Sequence, residues 1–194
     1  MTRQRARRWR QALAALALLA ALAPVQALAQ DGLTVAEARA SMVGRWEGTL
    51  ELLEEGAASE AFEWPIAVSI ENAGDGRTHI ERQQAEGMTD DGALTTTVTL
   101  LDPDGVTEHG TTFVGGSVPE HRTLTLSLAA GRDAAHWTLH GVEDYVRDGE
   151  ALQARYVVIR DGDTLISTFE VDPAGDEPPF GTTRKTLRRV ATAP

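Results

Sequence analysis

Segments in which apolar and polar residues alternate constrain the fold of this chain more than any other feature. In the segment 94–101, Leu94, Val98 and Leu100 fall on one face of an extended chain, and three threonines fall on the other. The segment 122–128 repeats the pattern with three leucines. A period of two with many β-branched residues is typical of a strand that buries one face. We therefore expect a half-buried strand in each segment.

Turn sequences separate about ten such segments. The turn 102–105 combines a proline, which presets φ, with a glycine, which accepts a positive φ. The pairs 148–149 and 161–162 are both Asp-Gly, the signal of a tight hairpin. The predicted strands are 45–53, 61–71, 77–85, 94–101, 106–114, 122–128, 134–146, 151–159, 164–171 and 181–190. This spacing fits an all-β sandwich or barrel, and sequential hairpins favour an antiparallel up-and-down barrel because closure removes exposed edges.

A short helix is expected before the first strand. Thr34 has the character of an N-cap, and Glu37 follows at the spacing of a capping box, in which the two side chains satisfy free backbone donors. Residues 36–40 are good helix formers. Gly44 can take the left-handed conformation that ends a helix, and Trp46 then lies at the start of the first strand.

The spacing of Gly44 and Trp46 resembles the opening of lipocalins and the wider calycin superfamily, where a Gly-x-Trp follows a short helix and closes one end of a β-barrel. The resemblance implies that an arginine of the last strand packs on the tryptophan. The candidates for this barrel-closing partner are Arg184, Arg188 and Arg189.

Two departures separate the chain from typical lipocalins. The later Thr-Asp-Tyr type motif is missing, and a chain without cysteine forms no disulfide. The sequence is more similar to an uncharacterised bacterial lipocalin-like group. A ten-strand meander after one helix also resembles the fatty-acid-binding and nitrobindin-like branches of the calycins. The glycine-rich first strand of nitrobindins is missing, however, so we infer no haem binding and expect no cofactor.

Residues 1–29 have the organisation of a secretory signal peptide. Five arginines precede the apolar run 12–23, and Ala27-Leu28-Ala29 forms a cleavage site of the A-x-A type. The run is shorter than the ~20 residues that span a bilayer. We therefore expect an exported protein, periplasmic or secreted, whose mature form begins near Gln30 and forms one lipocalin-like barrel domain over 30–194. The export route, general or twin-arginine, stays open.

The charge of the expected mature chain restricts its partners. Without the five arginines of the signal peptide, 13 basic residues remain against 29 acidic ones, a net charge of −16. Such a surface repels phosphate backbones and anionic membrane surfaces, so we expect no nucleic-acid partner. Because no cysteine follows the apolar run, we also expect no membrane anchor in the mature form. The same charge is also what an ordinary solvated exterior would show.

Sequence motifs give little support for catalysis or metal binding. No nucleophile elbow, His-Glu-x-x-His, phosphate-binding loop or dinucleotide-binding pattern is found. His136 and His140 share a predicted strand face, but four residues of strand separate them by about 13 Å, too far for one ion. Asp102 and Asp104 fit a turn better than a calcium loop. We therefore predict no catalytic residue and no metal site.

Five mid-strand residues are candidates to line a cavity. Interior side chains of a ten-strand barrel either fill it or surround a ligand. The candidates are Trp64, Arg82, Trp137, Tyr156 and Phe169. By resemblance to fatty-acid-binding proteins, an inward Arg82 would bind an anionic head group. The alternative is a packed core around the aromatic residues with Arg82 turned outward, since a buried unpaired charge is costly.

Three functions remain from the sequence. The first is binding of a small, partly apolar ligand inside the barrel, since such pockets often open at barrel mouths. The second is a non-catalytic protein-interaction or structural module of the cell envelope, which a filled interior and an exposed apolar patch would favour. An enzyme is the third, and it would require carboxylates or histidines that converge in a cavity.

Overall fold

The structure is a computed structural model that describes residues 32–53, 62–87, 93–115, 117–147, 149–173 and 180–191. The predicted signal peptide therefore lies outside the described residues. The helix α1 spans Val35–Ser41, and its capping box is confirmed. The backbone N–H of Thr34 donates to Glu37 Oε2 over 2.8 Å, and the N–H of Glu37 donates to Thr34 Oγ1 over 3.2 Å. No helix in these ranges is long and apolar enough to cross a membrane.

Ten antiparallel strands follow α1 and close into a barrel, as predicted. They are β1 (Gly44–Leu53), β2 (Phe62–Asn72), β3 (Thr78–Ala85), β4 (Ala93–Leu101), β5 (Thr107–Val114), β6 (Glu120–Asp133), β7 (His136–Arg147), β8 (Glu150–Asp161), β9 (Thr164–Pro173) and β10 (Phe180–Arg189). Each strand pairs with its neighbours in the chain, and β1 pairs with β10 to complete the ring. The topology is an up-and-down meander with no exposed strand edge.

The longest strand, β6, differs from its predicted boundaries. The predicted strand 122–128 is shorter than β6, which begins at Glu120 and continues through residues 131–133 to Asp133. The pairing of β6 with β7 shifts register between Leu128 and Ala130 and again between Gly131 and Asp133. These irregularities accommodate residues that the alternating pattern excludes from a regular strand.

The inward and outward faces of β4 are opposite to those that alternation predicts. Thr95, Thr97 and Thr99 face the barrel interior, whereas Leu94 is 57% exposed and Leu100 is 38% exposed. Register explains the reversal, because Thr97 and Thr99 lie beside inward-facing residues of β3 and β5. In β6 the usual order holds, and Leu124 and Leu126 are buried.

Much of the apolar core lies at the end of the barrel that α1 covers, called here the helix end. Ala38 of α1 and Trp46 of β1 are fully buried there, beside Leu139, Leu165 and Leu187. The strands approach closely at Gly48, where an added Cβ would come within 1.9 Å of the carbonyl oxygen of Thr186. The opposite end, called here the far end, contains the starts of β2, β4, β6, β8 and β10.

Candidate ligand-binding cavity

Two arginines of the last strands fix the C-terminus of α1 to the helix end. The guanidinium of Arg189 stacks on Trp46, 4.5 Å from the ring centroid, and Arg160 lies 5.8 Å from the same ring. Arg189 donates to the carbonyls of Val43 (3.1 Å) and Ser41 (2.8 Å), and Arg160 also donates to Ser41. The indole N–H of Trp46 donates to the carbonyl of Met42 over 2.8 Å. Helix carbonyls that would lack partners are thus satisfied.

Of the three candidates for the last-strand partner of Trp46, Arg189 is the one that packs on the ring, and Arg184 and Arg188 do not. Odd-numbered residues of β10 face the interior, as Leu187 does, so Arg184 and Arg188 lie exposed on the outer face. Gly44 also has another role than the one expected, because α1 ends before it, at Ser41. Gly44 has a φ of +145°, and an added Cβ would come within 2.9 Å of Arg189 Nη1.

A buried arginine of α1 reaches into the barrel. Arg39 is only 2% exposed and forms an ion pair of 2.8 Å with Glu108 of β5. It also donates to Thr99 Oγ1 (2.7 Å) and to the carbonyl of Arg77 (3.0 Å). Burial lowers the pKa of Arg39, and Glu108 opposes this effect. All these contacts hold the helix to strands β4 and β5 and to the residue that precedes β3.

A second ion pair crosses the interior between β3 and β10. Lys185 Nζ donates to Glu81 Oε1 over 2.8 Å. Burial disfavours the charged form of both groups, but their mutual attraction outweighs it, so the pKa of Glu81 is lowered and that of Lys185 is raised. Both side chains are therefore charged at neutral pH.

His79 of β3 is buried in the same interior and is neutral. It is 4% exposed, and its Nε2 atom has no hydrogen-bond partner among the described residues. Burial, followed by the charge of Arg39, lowers the pKa of His79 to about 4. A neutral imidazole with an unpartnered nitrogen can donate or accept one further hydrogen bond, depending on its tautomer.

Two adjoining cavities occupy the barrel between these charged groups and the far end. One has a volume of about 360 Å³ and the other about 450 Å³. The residues that line both cavities are Thr112, Glu120, Arg122 and Phe169. The larger cavity extends to Glu143 and Tyr145, and the smaller one extends to Arg39 and Met42 beside α1.

Arg122 of β6 stands where the two cavities meet. Its guanidinium lies over the ring of Tyr156, 5.7 Å from the centroid. Its Nε atom is buried without a hydrogen-bond partner among the described residues. The stem of Arg122 crosses Gly110 of β5, where an added Cβ would approach Arg122 Cγ and Nε to 3.2 Å. The missing side chain at position 110 thus provides the space for the arginine.

Of the five predicted cavity residues, Tyr156 and Phe169 line the cavities. Trp137 is instead 2% exposed in the core, where its indole N–H donates to Ser41 Oγ over 3.0 Å. Trp64 is partly buried, packs against the core cluster and stacks on Phe62 with 5.9 Å between ring centroids. Neither tryptophan lines either of the two cavities described above.

The inward position expected for Arg82 is wrong. Arg82 is exposed on the outer face of β3 and pairs with Glu71 over 2.8 Å. The odd-numbered residues His79, Glu81 and Gln83 face the interior of this strand. Ile80, the apolar residue of the same parity, shares the outer face with Arg82. A strand with a polar inner face misleads any assignment that follows the apolar residues.

Sequence reasoning missed the charged interior, although part of its signal was available. Arg122 alternates in step with Leu124 and Leu126, and Lys185 with Leu187, so parity alone places both inside. Arg39 lacks such a signal, because it lies on a helix and its partner Glu108 is distant in the chain. The interior acids and bases that the sequence analysis did not identify are Arg39, His79, Glu81, Glu108, Arg122 and Lys185.

Three of the four other histidines have partners at the surface, and the fourth, His140, is exposed. His136 pairs with Asp133 over 2.9 Å, and His109 lies 3.3 Å from Asp102. His121 lies 3.0 Å from the hydroxyl of Thr111. Within the described ranges, no three histidines or carboxylates are grouped so that they could hold a metal ion.

Similarity to known proteins is limited to the fold. No family model matches this sequence, and no curated protein matches it. Among solved structures, the crystal structure of Rv2717c from M. tuberculosis is similar, with 17% identity, a TM-score of 0.55, and coverage of 83% of this chain and 100% of the other. The S-type phycobiliprotein lyase CPES from Guillardia theta has 12% identity, a TM-score of 0.49, and coverage of 83% and 95%. The first of these likenesses shows that the chain has the barrel fold of a known structure.

Proposed function

We propose that the barrel binds a small amphipathic molecule in its interior. The observation that carries this proposal is the cavity of about 360 Å³, which lies between two chemically different walls. Tyr156 and Phe169 supply aromatic surface from β8 and β9, and Thr95 and Thr97 supply hydroxyl groups from β4. Strands β9 and β4 lie five positions apart in the ring of ten, on opposite sides of the barrel.

The composition of the interior also supports binding rather than simple packing. A packed core buries apolar side chains and leaves polar groups in water. Here the lining of the cavity contains threonines, Gln83, Ser167 and two ion pairs. The apolar cluster around Trp46, Leu139 and Leu187, in contrast, is packed and needs no ligand. An interior with space, hydrogen-bonding groups and aromatic surface has the properties of a small-molecule site.

A pair of neighbouring threonines on β4 provides the direct test. Thr97 faces the cavity, whereas Thr96 lies on the outer face beside Phe113. Thr97→Trp should fill the interior, and Thr96→Trp adds the same group outside. Native mass spectrometry of the purified protein should show a co-purifying molecule in the Thr96→Trp variant and none in the Thr97→Trp variant. A molecule retained equally by both folded variants would show that the interior is not its site.

Export is the second part of the proposal and rests on the sequence of residues 1–29. Cleavage after Ala29 would yield a chain that begins at Gln30. The measurement is the intact mass of the protein from the periplasm and the medium of a bacterial host that expresses the full chain. A mass that retains residues 1–29, found only in the cytoplasm, would contradict export.

The outer face supports one alternative, an interaction module of the cell envelope. Leu94 and Phe113 lie near each other on β4 and β5 and are 57% and 45% exposed. Exposed apolar patches often mark protein contacts. Replacing both residues by serine should abolish association in cross-linking experiments if this face is the functional one. If Thr97→Trp loses the co-purifying molecule and the double serine variant keeps its association in cross-linking experiments, the cavity is favoured as the functional site.

A further inference from the structure

The unpartnered polar atoms of the interior identify the chemistry of the ligand, provided that the barrel binds one as proposed above. Three buried side-chain nitrogens have no hydrogen-bond partner among the described residues: Nε2 of His79, Nε of Arg122 and Nε of Arg189. The first two line the cavity of about 360 Å³, whereas Arg189 belongs to the helix end. Because buried polar groups are rarely left unpaired, two such atoms around one cavity point to a missing partner.

The two cavity nitrogens belong to one row of the sheet. His79 pairs with Thr99, Thr99 with Gly110, and Gly110 with Arg122 across strands β3 to β6. The hydroxyl of Thr99 is occupied by Arg39, and Gly110 has no side chain. His79 and Arg122 are therefore the two groups of this row that remain available to a ligand.

The charges of the interior single out Arg122 as the binding cation. Arg39 is neutralised by Glu108, and Lys185 by Glu81, each at 2.8 Å. Within the described part of the chain, Arg122 has no carboxylate within 4.0 Å and forms no hydrogen bond through its side chain. Its guanidinium lies over the ring of Tyr156, and beyond contact distance its charge helps to lower the pKa of Glu81, which is already paired with Lys185.

Besides the paired Glu81 and Glu108, two further carboxylates share the cavities with Arg122 and bear on this assignment. Glu120 lines both cavities and is exposed at the start of β6. Glu143 lines the larger cavity and accepts the backbone N–H of Thr123 over 2.9 Å. Glu120 is therefore hydrated, and Glu143 already has a partner. Both would repel an anion, which makes Glu120 a useful site for a test.

We propose that the ligand is a small organic anion with an apolar body. Its anionic group binds the guanidinium of Arg122, which can donate two parallel hydrogen bonds to a carboxylate or sulfonate. The apolar body lies on Tyr156 and Phe169, and a polar group of the ligand reaches the imidazole of His79. Gly110 allows the guanidinium to take this position, because a glycine leaves room for the stem of Arg122.

Two dyes that differ in one group distinguish anion binding at Arg122 from interior binding without Arg122 and from binding to the outer surface. Anilinonaphthalene sulfonate is anionic, and N-phenylnaphthylamine has the same aromatic skeleton without the sulfonate. Fluorescence titrations of both dyes would compare the wild-type protein with Arg122→Gln and with Arg82→Gln, an exposed arginine of β3 as control. A charge-assisted hydrogen bond predicts that Arg122→Gln weakens the anionic dye about 10-fold or more. The affinity for the neutral dye should change by less than about 2-fold. Arg82→Gln should leave the affinities for both dyes unchanged, since exposed charges act weakly.

The outcomes separate the two proposals. If Thr97→Trp abolishes binding of both dyes and Arg122→Gln weakens only the anionic one, the inference stands. If Thr97→Trp abolishes both dyes but Arg122→Gln affects neither selectively, the barrel binds ligands but Arg122 is not the anion site. Equal binding of both dyes to Thr97→Trp and to the wild type would place them on the outer surface and contradict interior binding itself.

A second variant keeps the inference testable if Arg122→Gln does not fold. Glu120→Gln removes a carboxylate near Arg122 and leaves the arginine in place. It should increase the affinity for the anionic dye by about 3-fold and leave the affinity for the neutral dye unchanged, because a partly screened repulsion is removed. Gly110→Ala should weaken the anionic dye selectively because it displaces the guanidinium. No selective effect in either variant would overturn the role of Arg122.

Discussion

The two ends of this barrel use the same side chain in opposite ways. At the helix end, Arg189 and Arg160 donate to the last carbonyls of α1 and stack on Trp46. In the cavity, Arg122 also stacks on an aromatic ring, but it has no hydrogen bond to a described residue. Arg189 stabilises the fold through its Nη atoms, although its Nε atom has no partner, whereas the guanidinium of Arg122 remains available for a ligand.

The largest effect is expected from breaking the buried anchor of α1. Arg39→Ala leaves Glu108 charged and without its partner, which should cost about 3–5 kcal/mol of unfolding free energy. Urea denaturation of the variant and of Arg188→Ala, an exposed arginine of β10, measures the difference. The control should stay within about 0.5 kcal/mol of wild type. A similar, small loss in both variants would show that Arg39 does not hold the helix.

The next effect comes from protonation of His79. Its pKa is about 4 in the fold, against about 6.5 in an unfolded chain. The unfolded state therefore binds more protons in this window, and stability is complete above about pH 6.5 and declines as pH falls. The loss should approach about 3 kcal/mol below about pH 4. Urea denaturation over this range should show the decline in the wild type and a flatter profile in His79→Gln.

Two other charged groups near His79 bear on that experiment. Arg39 keeps its charge throughout, and hydrogen bonds from Thr78 and Arg77 hold the pKa of Asp75 well below its usual range. Neither group titrates in the window of His79. Parallel pH profiles for the wild type and His79→Gln would mean that the imidazole is hydrated and free to accept a proton.

A smaller effect is expected at the helix end. Arg189→Met keeps much of the stacking surface on Trp46 but removes two hydrogen bonds to helix carbonyls, which should cost about 2 kcal/mol. Arg184→Met is the matched control, because the same substitution on the outer face of β10 should cost less than about 0.5 kcal/mol. Thermal unfolding followed by circular dichroism would rank them. If Arg184→Met were the more harmful change, the assignment of Arg189 as the closing residue would be wrong.

The smallest effect on stability should come from the cavity arginine. Arg122→Met removes a partly desolvated charge that lacks a partner. The unfolding free energy should therefore change by less than about 1 kcal/mol, with either sign. Thermal unfolding in the absence of ligand measures it. A loss as large as that of Arg189→Met would mean that Arg122 supports the fold, and the contrast between the two ends would fail.

The predicted elements were reliable where local chemistry decides the structure. The capping box of Thr34 and Glu37, the glycine turns and all ten strands follow from residues close in the chain. The site was predicted only in part, because Tyr156 and Phe169 line the cavity while Trp64, Trp137 and Arg82 do not. Alternation identifies two faces of a strand, but it assigns the inner face correctly only when that face is apolar.

The sequence by itself determined that the chain forms a meander of short strands after a capped helix, because periodicity and turn residues act over a few positions. Only the tertiary structure decided which face of β4 is inside, which arginine meets Trp46, and which one is left without a partner. These outcomes depend on register across the closed ring, where Thr99, Gly110 and Arg122 become neighbours. A shift of one residue would reverse every such assignment, and only pairing around the whole barrel excludes it.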